Sequence, residues 1–284
     1  MKKWIIPVIV LVVLIVVATA AVVYVVFPKG KEEKTEKEKG KYEDITSWED
    51  DYDSVKLEDV TEFEVGMHVY LGSYEQDKDS SNGKEPIIWR VIAVEDGRVL
   101  LLSEYVLDQI DYHDVKENVT WELCDLRKWL NGEFYSDAFT DEEKTIIIES
   151  EIDNPANSFA GTKGGEKTSD FCFVLSVEEI KEYLNVSWDS QKYDVCSYCG
   201  YEIYNRGRLA APITAYANYR EAVYLKGTSK CRHTRYMGFW WTRTPGATQK
   251  QVVYVRGDGR IIMKGDDVHF ASAAVRPAMW INIK

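Results

Sequence analysis

The sequence predicts an α+β domain made of antiparallel hairpins and short helices. Two pairs of apolar, β-branched runs are joined at Asp96-Gly97 and at Asp258-Gly259, and this dipeptide is a strong hairpin signal. Helix start signals lie between the two hairpins. Strands at both ends with helices in the middle do not match alternating βαβ units. Residues 63–284 contain no repeat and no Pro/Gly/Ser-rich break, so a single domain is the simplest assignment.

The middle of the chain carries three helix signals. The segment WELCDLRKWLNG follows Thr120 and ends at Gly132, which predicts a helix between these residues. The tetrapeptides TDEE at 140–143 and SVEE at 176–179 match the capping box, in which a hydroxyl and a carboxylate satisfy N–H groups of the first turn. We therefore expect two further helices that begin after these caps.

Residues 1–28 predict a transmembrane anchor with a short cytoplasmic N-terminus. The run from Trp4 to Phe27 is uncharged and apolar, and at ~1.5 Å per residue it can cross a hydrocarbon core of ~30 Å. Lys2 and Lys3 precede it, and the positive-inside rule then places the remaining chain outside. The small residues Ala18-Thr19-Ala20 leave a cleaved signal peptide as the alternative. The predicted location is the cell membrane, with a single span and an extracytoplasmic C-terminal domain.

Residues 29–62 predict a charged, flexible linker. The segment has few apolar residues, so burial cannot offset the entropy of its chain. The whole chain of 284 residues has a net charge of −12. This balance argues against nucleic acid as a partner, because a phosphate backbone requires a basic face.

Three cysteines and a histidine form a candidate metal or disulfide cluster: Cys196, Cys199, Cys231 and His233. Three thiolates and an imidazole could close the tetrahedral shell of a structural zinc. The Cys-x-His spacing is narrower than usual, and a disulfide between two of the cysteines is equally reasonable outside the cytoplasm. Zinc, disulfide and free thiols all stay open, and no other cofactor is predicted.

No catalytic set is recognisable in the sequence. There is no Gly-x-Ser-x-Gly or His-Glu-x-x-His pattern, and the four histidines are scattered. In the loop at 161–168, Glu166 stands where a phosphate-binding loop needs glycine. The acidic pair Asp108 and Asp111 is expected to consist of turn or surface carboxylates. The sequence therefore favours a protein without enzymatic activity.

The segment GFWWTRTPG at 238–246 holds the candidate ligand-binding residues Trp240, Trp241 and Arg243, and Arg276 joins them from the last strand. Flat rings beside a planar cation suit stacking on a sugar or gripping a carboxylate. Adjacent strand residues point to opposite faces, so one tryptophan must face the core. Each arginine either lines a groove or latches loops and strand ends from inside, where it needs carboxylate or carbonyl partners.

Seven segments spread along the domain carry a family resemblance. They are Val69–Tyr74, Pro86–Val91, Leu100–Ser103, Thr120–Glu122 with Leu126–Asn131, Phe173–Ser176, Trp240–Gly246 and Ala274–Met279. With them, the chain resembles an uncharacterised bacterial family, a domain of unknown function that is frequent in cell-surface proteins of Gram-positive gut bacteria. The last two segments read WWTRTPG and AVRPAM, against the family's usual WWLRSPG and GVRPAL.

The resemblance implies a compact α+β domain whose final strands look like those of the C-type-lectin and formylglycine-generating-enzyme superfold. A C-type-lectin-like arrangement is therefore the finer expectation. The segment from Phe270 to Lys284 has no cysteine, so the oxidase activity of formylglycine-generating enzymes is not carried over. The Glu-Pro-Asn and Trp-Asn-Asp motifs of calcium-dependent lectins are also missing from the sequence.

These observations together predict a membrane-anchored, extracytoplasmic binding or interaction module that is not an enzyme. Its partners would be the membrane, through the N-terminal helix, and a glycan, a peptide or another envelope protein. The alternative is an enzyme acting on cell-envelope or host glycans with carboxylates that the sequence does not single out.

Overall fold

The computed structural model describes residues 54–184, 193–195, 202–204, 209, 211–214, 216–217, 237–257, 259–269 and 273–283. The predicted anchor at 1–28 and most of the predicted linker lie outside the described residues, as do Cys196, Cys199, Cys231 and His233. Within the described ranges, no helix is both long enough and apolar enough to span a bilayer.

The described residues form fourteen strands, numbered in chain order. They are β1 (Ser54–Lys56), β2 (His68–Tyr74), β3 (Glu85–Glu95), β4 (Arg98–Ser103), β5 (Ser150–Ile152), β6 (Thr168–Asp170), β7 (Tyr193–Val195), β8 (Glu202–Tyr204), β9 (Ala211–Pro212), β10 (Met237–Pro245), β11 (Gln251–Val255), β12 (Ile261–Asp267), β13 (Ala273–Ala274) and β14 (Ala278–Asn282). The α-helices are α1 (Asp125–Trp129), α2 (Tyr135–Ala138), α3 (Asp141–Lys144) and α4 (Val177–Tyr183). This is a sheet-rich α+β domain with short helices, as the sequence predicts.

Two larger sheets organise these strands. The first has the order β1-β2-β3-β4-β14, and the second has the order β12-β11-β10-β13 with β9 also paired to β10. Smaller two-stranded sheets join β5 to β6 and β7 to β8. β14 pairs with β4, so the first and last described strands, β1 and β14, form the two edges of the same sheet.

The first sheet starts earlier than the predicted domain boundary at residue 63. β1 lies inside the range assigned to the linker, yet it pairs in parallel with β2, with Ser54 opposite His68 and Lys56 opposite Tyr70. Pairing with a neighbouring strand satisfies backbone groups that a solvated linker would leave to water. Residues 54–56 are therefore part of the first sheet.

Both predicted hairpins are confirmed. β3 and β4 are antiparallel, with Glu95 opposite Arg98, and Gly97 in the turn has a φ of 77°. β11 and β12 are antiparallel on either side of Gly259, whose φ is 78°. A positive φ is readily adopted by glycine, so each Asp-Gly dipeptide supplies the residue that its turn requires.

The helix predicted between Thr120 and Gly132 is wrong at both ends. Residues before Asp125 form turns, and α1 begins after the N-cap Cys124, whose Sγ accepts the N–H of Arg127 at 3.4 Å. Gly132 does not end the helix, because its φ is not in the left-handed region and the chain continues through a π-helical turn into α2. The helical segment ends only at Phe139, which has extended backbone angles.

Both predicted capping boxes are confirmed. The Thr140 hydroxyl accepts the backbone N–H of Glu143, and the Glu143 carboxylate accepts the N–H of Thr140. Ser176 and Glu179 make the same reciprocal pair at the start of α4. The hydroxyl and carboxylate satisfy N–H groups that the first turn cannot satisfy internally.

Four tryptophans are among the largest fully buried side chains of the described core. Each indole N–H donates a hydrogen bond: Trp89 to the Leu71 carbonyl, Trp121 to the Asp170 carboxylate, Trp240 to the Leu209 carbonyl and Trp241 to the Ile110 carbonyl. A buried indole needs such an acceptor, because an unpaired N–H would be costly to remove from water. The tryptophans therefore fix backbone segments to the core as well as filling it.

Candidate functional site

The predicted ligand-binding tryptophans do not reach a surface. Trp240 and Trp241 are both 0% exposed, and each indole N–H is used by a backbone carbonyl. They lie on β10, which pairs with β11 along one edge and with β13 along the other, and which also pairs with β9. A side chain with no exposed area cannot stack on a ligand, so the groove interpretation of these rings has no support in the described structure.

Arg243 is a buried residue whose side chain binds other segments of the domain. It is 3% exposed and forms a bidentate ion pair with Glu179, with Nη2 at 2.6 Å from Oε1. Its remaining N–H groups donate to the carbonyls of Val174, at 2.8 Å, and Asp153, at 2.9 Å. One guanidinium group therefore joins β10 to Asp153 and to the stretch from Val174 to Glu179, which matches the structural alternative for this residue.

Arg276 has a similar internal role at the entrance to β14. It is 1% exposed, its Nε donates to the Ser103 carbonyl at 2.8 Å, and its guanidinium lies 5.3 Å from the centre of the Trp240 ring. Burial of an arginine is tolerated where carbonyls and ring faces replace water. The two arginines of the family motifs thus stabilise the fold.

Glu104 is a third buried charge, next to Arg276 at the end of β4. Its carboxylate accepts two hydrogen bonds from Arg90, at 2.8 and 2.6 Å, and lies 3.2 Å from His68 Nε2. Burial alone would raise the pKa of Glu104, but the hydrogen bond with His68 and the charges of Arg276 and Arg90 outweigh it and lower the pKa to about 2. Glu104 is therefore held in its ionised form.

The TWE and LRKWLN segments converge on the buried carboxylate of Asp170. This carboxylate accepts hydrogen bonds from Trp121 Nε1 at 2.9 Å, Arg127 Nε at 2.6 Å, Asn131 Nδ2 at 3.3 Å and Thr168 Oγ1 at 2.7 Å. The contacts tie the helical segment to β6. Trp121, Arg127 and Asn131 of these family segments therefore have a structural role, because they bind a buried carboxylate.

A group of aromatic side chains has a different position, at the end of β2. Tyr74 contacts Trp129, Tyr216 and Phe134, with ring centres 6.3, 6.2 and 5.5 Å apart and the first two pairs nearly perpendicular. We call these four residues the aromatic cluster. Phe134 is buried, whereas Tyr74, Trp129 and Tyr216 are each partly exposed. The cluster therefore combines one buried ring with three residues that are partly exposed.

Local structure explains how the rings meet. The turn Leu130–Phe134 is π-helical, and its i to i+5 hydrogen bonds bring Trp129 and Phe134 onto one face, with ring centres 5.2 Å apart. Tyr74 is the last residue of β2. Tyr216 is positioned by its backbone N–H, which donates to the Gln76 carbonyl at 2.9 Å. π-helical turns are rare in proteins, and those that do occur are often found at functional sites.

A buried carboxylate lies beneath the cluster. Asp108 is 4% exposed, and its Oδ2 accepts the Tyr74 hydroxyl at 2.6 Å while Oδ1 accepts the N–H of Gln109 at 2.6 Å. Burial of Tyr74 raises the pKa of its hydroxyl, and the charges of Asp108 and Glu133 raise it further. The prediction that Asp108 is a turn or surface carboxylate is therefore wrong. Asp111 instead pairs with His269, with Oδ2 at 3.0 Å from Nδ1.

Three carboxylates gather in the loop that follows Tyr74. Oxygen atoms of Glu75, Asp77 and Glu85 lie within 4.8 Å of one another, and this is a spacing that a cation could share. Burial raises the pKa of Glu75, the N–H of Lys78 lowers it, and the charges of Glu85 and Asp77 raise it again. We call these residues the acidic triad. Hydrogen bonds within the loop already use several of the oxygens, and we assign no metal to the triad.

The sequence alone does not predict the aromatic cluster, although Tyr74 and Trp129 both lie within family segments. Their neighbours carry a usable signal: Tyr74 ends an apolar strand and is followed at once by the polar, turn-rich run EQDKDSSNGKE. The contact with Tyr216 joins residues far apart in the sequence, and no local pattern indicates it.

Comparison with known proteins identifies a family for this chain. The family model described as Domain of unknown function (DUF6273) matches residues 96–283, which is more than half of the chain. The chain matches no curated protein and no solved structure.

Proposed function

This chain belongs to the DUF6273 family, and from that premise we propose that it is a binding module without enzymatic activity, held at the outer face of the cell membrane. The aromatic cluster is the surface that contacts the ligand. The motif residues Trp240, Trp241, Arg243 and Arg276 support this surface only indirectly, by stabilising the fold.

The observation that carries the proposal is the partial exposure of Tyr74, Trp129 and Tyr216, which contact one another through the Tyr74 ring. Tyr74 is in turn held by the buried Asp108 carboxylate. Tyrosine and tryptophan are enriched at binding surfaces because they combine a large apolar area with a polar handle. Grouped rings that are both rigidly packed and accessible lose little conformational entropy when a ligand binds.

The proposed location rests on the sequence. The apolar run from Trp4 to Phe27 supports an uncleaved anchor, Lys2 and Lys3 support a cytoplasmic N-terminus, and residues 29–53 supply charged chain between anchor and domain. The membrane is one partner in this proposal. The second is a glycan, a peptide or an envelope protein. Protease added to intact protoplasts should cleave the C-terminal domain if this orientation is right, whereas full protection would contradict it.

Two finer features belong to the proposal. The first is a C-type-lectin-like arrangement, which the likeness of WWTRTPG and AVRPAM to the family motifs supports. The second is a structural zinc or a disulfide formed by Cys196, Cys199, Cys231 and His233. Zinc content and thiol titration on one purified sample distinguish the two, because a zinc site has free thiols after chelation and a disulfide has them only after reduction.

Glycan and peptide arrays probed with the full-length chain in detergent test the function. We expect saturable binding of at least one ligand, and about tenfold weaker binding by Trp129→Leu, since loss of one aromatic contact commonly has an effect of this size. Glu182→Gln, an exposed change on α4 outside the cluster, is the control. Binding that Trp129→Leu leaves unchanged would refute the role of the cluster.

A further inference from the structure

We propose that the aromatic cluster selects an organic cation, namely a primary or quaternary ammonium group carried by a small molecule or by an envelope polymer. This inference names the ligand class for the site described above and therefore rests on the proposed function. Two independent properties of the site support it: the faces of its rings and the sign of the charge around them.

The rings supply the first property. Tyr74 stands nearly perpendicular to Trp129, at 89°, and to Tyr216, at 79°. Rings at right angles cannot all share one flat platform, so a planar sugar face can stack fully on only one of them. A compact cation can contact the faces of two rings at once, because the negative potential over each face attracts it from any side.

The charge supplies the second property. Asp108 accepts the Tyr74 hydroxyl, and the charge of Glu133 also acts on Tyr74. The acidic triad begins at the next residue, Glu75, and Gln76 in the same loop accepts the N–H of Tyr216. Asp108 and Glu133 thus place carboxyl groups beside Tyr74, and a neutral sugar gains nothing from their charge.

The pKa of Tyr74 is consistent with this negative surrounding. Burial raises the pKa of the Tyr74 hydroxyl, and nearby carboxylates raise it further, since a phenolate would add negative charge to a negative site. A bound cation relieves the same repulsion.

The test uses choline and its neutral carbon isostere 3,3-dimethylbutan-1-ol, titrated by calorimetry into the full-length chain in detergent. The two probes have the same shape and differ in charge, so any preference for choline measures the electrostatic contribution. We expect choline to bind at least about tenfold more tightly, which is the upper part of the range for a cation over a partly desolvated ring. Glu133→Gln removes one exposed charge and should weaken choline roughly threefold.

Equal affinity for the two probes would overturn the inference, as would a lack of saturable choline binding. Choline affinity that is the same in Glu133→Gln as in the control Glu182→Gln would also overturn it. None of these results contradicts the proposed function, which fails separately if Trp129→Leu retains full affinity for its array ligand. Because Glu133 and Glu182 are both exposed, neither change is expected to prevent folding.

Discussion

Arg243 and Glu179 form a bidentate ion pair that joins β10 to the first turn of α4. The same Glu179 carboxylate accepts the N–H of Ser176 at 2.8 Å, so it caps the helix and neutralises the arginine together. A carboxylate placed by a capping box is already fixed when the arginine reaches it. The ion pair therefore fixes β10, which carries the WWTRTPG segment, to the start of α4.

Loss of this pair should destabilise the domain strongly. Arg243→Ala leaves Glu179 without its partner and removes hydrogen bonds to two carbonyls, so we expect a loss of about 3 kcal/mol in the free energy of unfolding. Urea denaturation followed by circular dichroism measures it. Lys167→Ala, which removes an exposed ion pair with Glu151, should change the same quantity by less than about 1 kcal/mol. An equal loss of unfolding free energy in the two variants would contradict a stabilising role for the Arg243–Glu179 ion pair.

Asp170→Asn should also destabilise the fold, by about 3 kcal/mol. The amide keeps the shape of the side chain but leaves the Arg127 charge without a counter-charge and replaces one acceptor oxygen by a donor. The exposed Asp137→Asn is the matched control, with an expected change within about 0.5 kcal/mol. Urea unfolding midpoints with unchanged slopes would measure both. A stable Asp170→Asn would mean that the carboxylate does not organise this region.

Acid should weaken the domain through Glu104. Its pKa is lowered from an ordinary value of 4.5 to about 2, so its ionised form stabilises the fold above about pH 4.5. This contribution, on the order of 3 kcal/mol, disappears as the pH falls from about 4.5 to about 2. The gap in unfolding free energy between the wild type and Glu104→Gln should therefore shrink across that window. A gap that stays constant with pH would contradict the assignment.

Gly72 in β2 and Gly132 in the helical segment should respond in opposite ways to substitution by alanine. Gly72 has a φ of 68°, and a Cβ there would lie 2.6 Å from the Phe139 ring and 2.7 Å from the Ala138 carbonyl, so Gly72→Ala should cost about 2 kcal/mol or more. A Cβ at Gly132 meets no atom within 4 Å, and Gly132→Ala should be neutral or stabilising by up to about 1 kcal/mol. Thermal unfolding distinguishes the two; a destabilised Gly132→Ala would argue against the continuous helical segment.

Local signals in the sequence predicted the local parts of the fold. The two Asp-Gly turns and the two capping boxes depend on residues within a few positions of each other, and all four are confirmed. The helix predicted after Thr120 is wrong at its C-terminal end because Gly132 adopts a helical conformation and the chain continues through it. Pairing of β14 with β4 and of β1 with β2 depends on contacts between distant segments, which local patterns do not encode.

The candidate site was harder to predict for a related reason. Conspicuous residues such as Trp241 and Arg243 combine large rings with charge, and the sequence cannot tell whether their partners are internal or belong to a ligand. The structure supplies an internal acceptor for each. Tyr216 is inconspicuous in the sequence, and its contact with Tyr74 depends on the fold, in which its N–H donates to the Gln76 carbonyl.

The most direct test of the account is the dissociation constant of Trp129→Leu for the strongest array ligand, measured beside its circular dichroism spectrum. Trp129 is partly exposed, so the variant should retain the wild-type spectrum and lose only roughly 1 kcal/mol of stability. We predict a dissociation constant at least about tenfold higher than that of the wild type. A folded variant that binds as tightly as the wild type would contradict the claim that the aromatic cluster is the binding surface.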